Sequence, residues 1–131
     1  MNDLINDVIE YLEDESIGTI GTSLFSGELP YDKTDVLSLQ YSPSPEPNKA
    51  IQYYEQTVDI WGRFKLFDAG YGKLQDVMDL LHQKENYELN HYHVYLSYAQ
   101  GMIEDLDRDV ERRHLFKLSL VFVYRRNSDF S

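Results

Sequence analysis

The chain has 131 residues, of which 42% are hydrophobic, and this length suits a single domain spanning residues 1–131 with one buried core. Its 12 Lys and Arg residues are outnumbered by 23 Asp and Glu residues, which gives a formal net charge of -11 and argues against sequence-specific nucleic-acid binding. Cysteine is absent, which excludes disulfides, thiolate metal sites and cysteine nucleophiles. We expect neither a secretion signal nor a membrane span, because no apolar run approaches the ~18 residues that a span requires.

The first predicted element is an amphipathic helix over residues 3–13. Its apolar residues recur at spacings of three and four and form one stripe, which consists of Leu4, Ile5, Val8, Ile9 and Leu12. The glycine-punctuated run IGTIGTSLFSGELP predicts one strand and a turn, and DVLSLQY predicts a second strand. The next stretch, SPSPEPNK, carries proline at alternate positions and cannot lie inside a sheet. It is either a plain connector or a stiff arm toward a partner.

The longest β pattern covers residues 51–67. Its even positions are mainly apolar and its odd positions mainly polar, although the odd face also carries Tyr53 and Trp61. Asp68 can cap the helix that follows, which continues to about residue 82 with apolar residues at helical spacing. Two further strands are predicted at residues 92–98 and 114–125. The second has apolar residues on both faces at its centre, which is typical of an interior strand.

The order of predicted elements is helix, three strands, helix, two strands. Because strands and helices do not alternate regularly, we predict an α+β domain. Two helices pack on one face of a mainly antiparallel sheet of about five strands. The strand, helix and strand around Leu74 leave room for one parallel crossover, so the sheet can be mixed.

The sequence contains no recognisable catalytic motif. The connection GMIEDLDRDVERR, residues 101–113, has alternate acids as in a calcium loop, but Val110 and Phe116 occupy the positions that require glycine and a bidentate glutamate. His91 and His93 share a strand face at a spacing that suits two metal ligands, yet they have no identified third ligand. We therefore predict a non-enzymatic protein that needs no metal and no cofactor.

The charged connection is predicted to be a mobile loop that becomes ordered against a partner, because it is long for a strand connection and poor in apolar anchors. Its apolar residues are Met102, Ile103, Leu106 and Val110. These four also recur at helical spacing, so a short helix that faces the partner is the alternative.

Three strings in the chain resemble the minor capsid and tail terminator proteins of long-tailed bacteriophages. They are IGTIGTSLFSGELP, YYEQTVDIWGRFKLFDAGYGKLQDVMDLLHQ and FKLSLVFVYR, and the resemblance spans residues 17–125. It implies a structural α+β subunit that forms a ring, usually a hexamer, at the head-facing end of the tail. The implied partners are further copies of the chain, the tail tube protein and the head connector. The implied location is the virion, with assembly in the host cytoplasm.

Two alternatives to a tail terminator stay open. One is another head-tail joining (neck) protein, which would belong to the same part of the virion. The other is a soluble bacterial binding module of α+β type, whose ligand pocket a sequence cannot show.

Candidate contact residues for a ring lie on the odd face of the long strand and in the charged connection. Large aromatics rimmed by charges are typical of the centre of an interface. The candidates are Tyr53, Trp61, Arg63, Lys65, Met102, Ile103 and Leu106. A ring requires contact between two different surfaces, and the proline-spaced residues 42–48 are a candidate for the second surface. Alternatively, the second helix or the first strand covers the odd face within the subunit.

Overall fold

A computed structural model describes residues 4–42, 48–49 and 53–127, with the backbone alone described at 48–49. Within these residues the chain forms two helices, α1 (Leu4–Asp14) and α2 (Phe67–Leu81), and eight strands. The strands are β1 (Leu24–Ser26), β2 (Val36–Tyr41), β3 (Asn48–Lys49), β4 (Tyr54–Phe64), β5 (Lys84–Glu88), β6 (Tyr92–Ala99), β7 (Glu104–Arg108) and β8 (His114–Arg126). Neither described helix has the length and apolar content that a membrane crossing requires.

All eight strands belong to one sheet. Its order is β1-β2-β4-β8-β6-β5, with β3 paired to β4 and β7 paired to β8. The pair β1 and β2 is parallel, and the other named pairs are antiparallel. The predicted α+β class with a mainly antiparallel, mixed sheet is therefore confirmed. The parallel pair is β1 and β2, which both precede α2, so the possible parallel crossover around α2 is not formed. Three short strands (β3, β5 and β7) add to the five that the sequence patterns predicted.

The two longest strands, β4 and β8, lie side by side at the centre of the sheet and pair from Tyr54 and Tyr124 to Phe64 and His114. Their alternation creates the core, because apolar even-numbered residues fill one face. The buried residues of this face are Val58, Ile60, Phe64, Phe116, Leu118, Leu120 and Phe122. Both helices bury their apolar stripes in the same cluster, through Leu4, Val8, Leu12, Leu74, Val77 and Leu81. The helices therefore cover one face of the sheet, as the sequence predicted.

The first turn of α2 approaches the sheet closely at Gly70. A Cβ atom at this position would lie 2.5 Å from Phe116 Cε2 and 2.8 Å from the ring of Phe64. The helix is preceded by Leu66 at the N-cap position, with no side-chain capping hydrogen bond. The prediction that Asp68 caps this helix is wrong, because Asp68 lies within the first turn, where its charge still complements the helix dipole.

The prediction of a loop at residues 101–113 is also wrong, as is the alternative of a short helix. This segment contains β7 and a tight turn that leads into β8. The pairing of β6 with β8 ends at Ala99 and Leu120, and β7 then pairs with β8 between Lys117 and His114. All five residues of β7 are exposed, so the strand is held by backbone pairing and has no alternating burial pattern that a sequence could display. Of the predicted proline-spaced surface, residues 43–47 lie outside the described residues.

Candidate assembly surface

One face of the central sheet has no helix over it in the described part of the chain. Because both helices pack against the even-numbered side of β4 and β8, the odd-numbered side forms what we term the outer face. The strand register places the following residues on it: Ser38, Gln40, Thr57, Asp59, Trp61, His93, Tyr98, Lys117, Ser119 and Val121. The alternative in which α2 covers Trp61 is therefore wrong.

The centre of the outer face is a polar cluster around Asp59. This side chain is 1% exposed, and its Oδ1 accepts a hydrogen bond of 2.7 Å from Ser119 Oγ. Lys117 Nζ lies 3.8 Å from Asp59 Oδ2 and 5.3 Å from the centre of the Trp61 ring. The ammonium group therefore lies between a buried carboxylate and an aromatic face, and both attract a positive charge.

Trp61 presents a half-buried indole at this centre. Its Nε1 is buried and has no hydrogen-bond partner among the described residues. A buried N–H group without a partner costs about 1–3 kcal/mol, so this atom is an unfavourable feature within the subunit. Trp and its charged surroundings match the composition of interface centres, in which Trp, Tyr and Arg contribute most of the binding energy.

A second aromatic group lies on the outer face near the start of β4. The ring of Tyr53, which is 41% exposed, makes an edge contact with Tyr95 at 6.5 Å between ring centres. Tyr95 also contacts the ring of His93 at 4.9 Å, and His93 Nδ1 pairs with Glu88. Tyrosine has an apolar ring and a polar hydroxyl, which suits a half-exposed contact surface.

A network of two arginines and one aspartate fixes the opposite end of the outer face. Arg113 Nε donates a 2.8 Å hydrogen bond to Asp109 Oδ2, and Arg63 Nε forms an ion pair with the same oxygen at 3.4 Å. Arg63 Nη1 donates to the carbonyl oxygen of Pro30 at 2.6 Å. The network thus ties the connection between β1 and β2 to the turn between β7 and β8.

The charge of Asp109 is stabilised by this network. Burial acts to raise the pKa of Asp109, but hydrogen bonds from the backbone and guanidinium of Arg113, the positive charge of that guanidinium, and the backbone N–H of Glu111 more than offset it. The pKa of the carboxyl group therefore lies below its ordinary value. An ionised Asp109 holds the β7–β8 turn in one conformation.

The predicted contact residues have different environments. Tyr53 and Trp61 lie on the outer face, whereas Arg63 is only 11% exposed within the arginine network. Lys65 is exposed beyond the end of β4, and its backbone N–H donates to Asp35 Oδ1. Met102 is 77% exposed and Leu106 is 37% exposed, but Ile103 packs against the core. These placements do not test which residues contact a partner.

Sequence reasoning missed the residues that organise the outer face. They are Asp59, Asp109, Arg113, Lys117 and Ser119. For Lys117 and Ser119 the sequence did contain a signal, because the alternation of β8 places both residues on the side of the strand away from the core. The pairing of Arg63 with Asp109 has no local signal, because it depends on the tertiary fold.

The histidine pair has carboxylate partners. His91 Nδ1 lies 2.9 Å from Asp7 Oδ1, while the backbone N–H of His91 donates to Asp7 Oδ2 at 2.6 Å. Among the described residues, no group of three or more His, Asp or Glu side chains is arranged to hold a metal ion. The Asp7 contact instead connects α1 to the turn before β6.

The sequence model of a protein family described as bacteriophage tail terminator protein matches residues 11–126 of the chain. The match extends from the last part of α1 to the end of β8 and includes every residue of the outer face. No curated protein matches the chain at a significant level.

Proposed function

The chain belongs to the bacteriophage tail terminator family, a family of structural tail proteins, and from this membership we propose that it closes the head-facing end of a phage tail as a ring, usually a hexamer. In this role it stops growth of the tail tube and presents a docking surface to the head connector. It acts without catalysis and without a cofactor. It assembles in the host cytoplasm and remains in the virion.

The observation that carries the ring proposal is an outer face that no helix covers in the described part of the chain. An antiparallel sheet with helices on one side usually presents a polar side to water. Here the open side instead has Trp61 at its centre, with Tyr53 and Tyr95 toward one end. A surface of this composition on one side of the domain, with a helix layer on the other, supports head-to-tail association between different surfaces. Such association forms a ring when the rotation between neighbouring subunits closes.

The charge of the chain supports a position around a DNA channel. A subunit with a net charge of -11 has little affinity for phosphates, so DNA can pass without being held. At one end of the outer face, Arg63 and Arg113 are engaged with Asp109. Arg125, which pairs with His93 on the same face, donates to Asn127 Oδ1 at 3.3 Å. Duplex DNA should therefore show no measurable binding to the purified protein at physiological salt.

Interrupting the gene in its phage and measuring tail lengths by negative-stain electron microscopy tests this function. A tail terminator predicts headless tails whose lengths extend beyond the narrow wild-type distribution, because tube growth is no longer stopped. A neck protein predicts tails of normal length that lack heads, and a binding module predicts intact virions; either result contradicts the proposal. Supplying the gene in trans is the control.

A further inference from the structure

We propose that the turn between β7 and β8 of one copy inserts into a gap of the next copy, between residues 16–18, which follow α1, and the first turns of α2. This inference rests on the proposed ring and specifies two surfaces that meet within it. The inserting element is the hairpin tip around Val110, and the receiving element is a gap in the helix layer.

The hairpin tip carries an apolar side chain held away from the domain. Val110 is 88% exposed, the highest value among the large hydrophobic residues that the structure describes as exposed. The turn is closed by the hydrogen bonds Asp109 N to Arg113 O and Arg112 N to Asp109 O, each 2.9 Å. Side-chain bonds from Arg113 to Asp109 and Thr34 connect the turn to the body of the domain. A tip fixed before binding loses little conformational entropy when it inserts.

The receiving gap lies where neither helix covers β2 and β4. Its volume is about 500 Å³, and its apolar lining comes from Ile17, Leu37, Phe64 and Ala69. Leu37 and Phe64 form a buried floor, at 2% and 4% exposure. Asp35 and Lys73 add one charge of each sign to the lining. The gap is therefore an apolar depression with a polar rim, which is typical of a site that receives an anchoring side chain.

The chemistry of the tip matches that of the gap. Val110 is flanked by exposed Arg112 and by Glu111, whose side chain pairs with Arg113 at 3.3 Å but stays 58% exposed. Arg112 complements Asp35 of the gap, and the exposed part of Glu111 complements Lys73. Within one copy Val110 remains exposed, so the tip does not occupy its own gap. The tip that fills a gap must therefore come from another copy. Contact between two different surfaces is what allows a ring to close.

The absence of cysteine makes a disulfide test direct. Val110→Cys and Ala69→Cys change two exposed residues, one on the tip and one in the gap. A disulfide requires Cα atoms within about 7 Å, so it reports seating of the tip with high precision. Mixing the two single variants under mild oxidation should give a covalent heterodimer, and the double variant should give a reducible ladder that ends at the size of the ring. The control mixture combines Ala69→Cys with Glu85→Cys, at an exposed position of β5, in place of Val110→Cys. Its heterodimer yield should be at least about tenfold lower.

Light scattering of the unmodified protein separates failure of the proposed ring from failure of the proposed hairpin contact. If the protein forms a ring but the mixture gives no more heterodimer than the Glu85→Cys control, the hairpin contact is refuted and the ring stands. If the double variant forms an internal disulfide and migrates as a monomer, the tip reaches its own gap and the inference is likewise refuted. A protein that does not form a ring, alone or on tail tubes, contradicts the proposed function itself.

Discussion

Replacing Gly70 with alanine tests how closely α2 must approach the sheet. The added Cβ would lie 2.5 Å from Phe116 and 2.8 Å from Phe64, and both rings are buried in the core and cannot move aside. Overpacking of this kind costs about 1–3 kcal/mol, and the contact distances favour the upper half of that range. Alanine offsets part of this loss, because it is better than glycine in a helix by about 1 kcal/mol. We expect a net loss of about 1–2 kcal/mol.

Gly72 provides a matched control two residues away in the same helix. A Cβ at this position meets no atom within 4 Å, so Gly72→Ala should stabilise the protein by about 0.5–1 kcal/mol. For a chain of this size the two variants should differ in Tm by roughly 10 °C, with Gly70→Ala the lower. Thermal denaturation followed by circular dichroism measures both. A Gly70→Ala variant as stable as Gly72→Ala would refute the close approach of α2 to the sheet.

Three further predictions concern the outer face. Because the pKa of Asp109 is lowered by folding, its contribution to stability is present above its unfolded pKa of ~4 and is lost as pH falls through the folded value. Urea unfolding should therefore show a steeper loss below about pH 4 in the wild type than in Asp109→Asn. Arg63→Glu should lower the free energy of unfolding by about 3 kcal/mol, because it breaks the largely buried pair with Asp109. The control Lys65→Glu, at an exposed position, should change it by less than about 0.5 kcal/mol. Equal effects of the two substitutions would contradict the arginine network. Trp61→Ala removes a half-buried side chain, so the subunit should stay folded and lose less than the ~3–5 kcal/mol that a fully buried aromatic costs. It should fail to assemble with tail components, and normal assembly would exclude the outer face as a contact.

The sequence predicted the elements whose burial alternates along the chain. β4 and β8 have mainly apolar residues at every second position, and α1 and α2 have an apolar helical stripe. The existence and type of these four elements therefore followed from periodicity. β7 could not be predicted in this way, because Glu104–Arg108 is exposed on all sides and pairs only where β6 leaves the edge of β8 free. Its position is decided by tertiary pairing.

The candidate surface was predicted in part. Placement of Tyr53 and Trp61 on the odd face followed from the two-residue period of the strand. In the described part of the chain, no helix covers that face. The role of Arg63 could not be predicted, because its partner Asp109 is distant in the sequence. Whether the seven candidate residues contact a partner stays a prediction.

Cryo-electron microscopy of intact tails tests the central claim most directly. At the head-facing end of the tail tube, the account predicts a single closed ring into which copies of this domain fit, with the outer face of each copy buried against a different surface of its neighbour. Copies located elsewhere in the virion, or in a ring that leaves Trp61 and Tyr53 exposed to solvent, would contradict it.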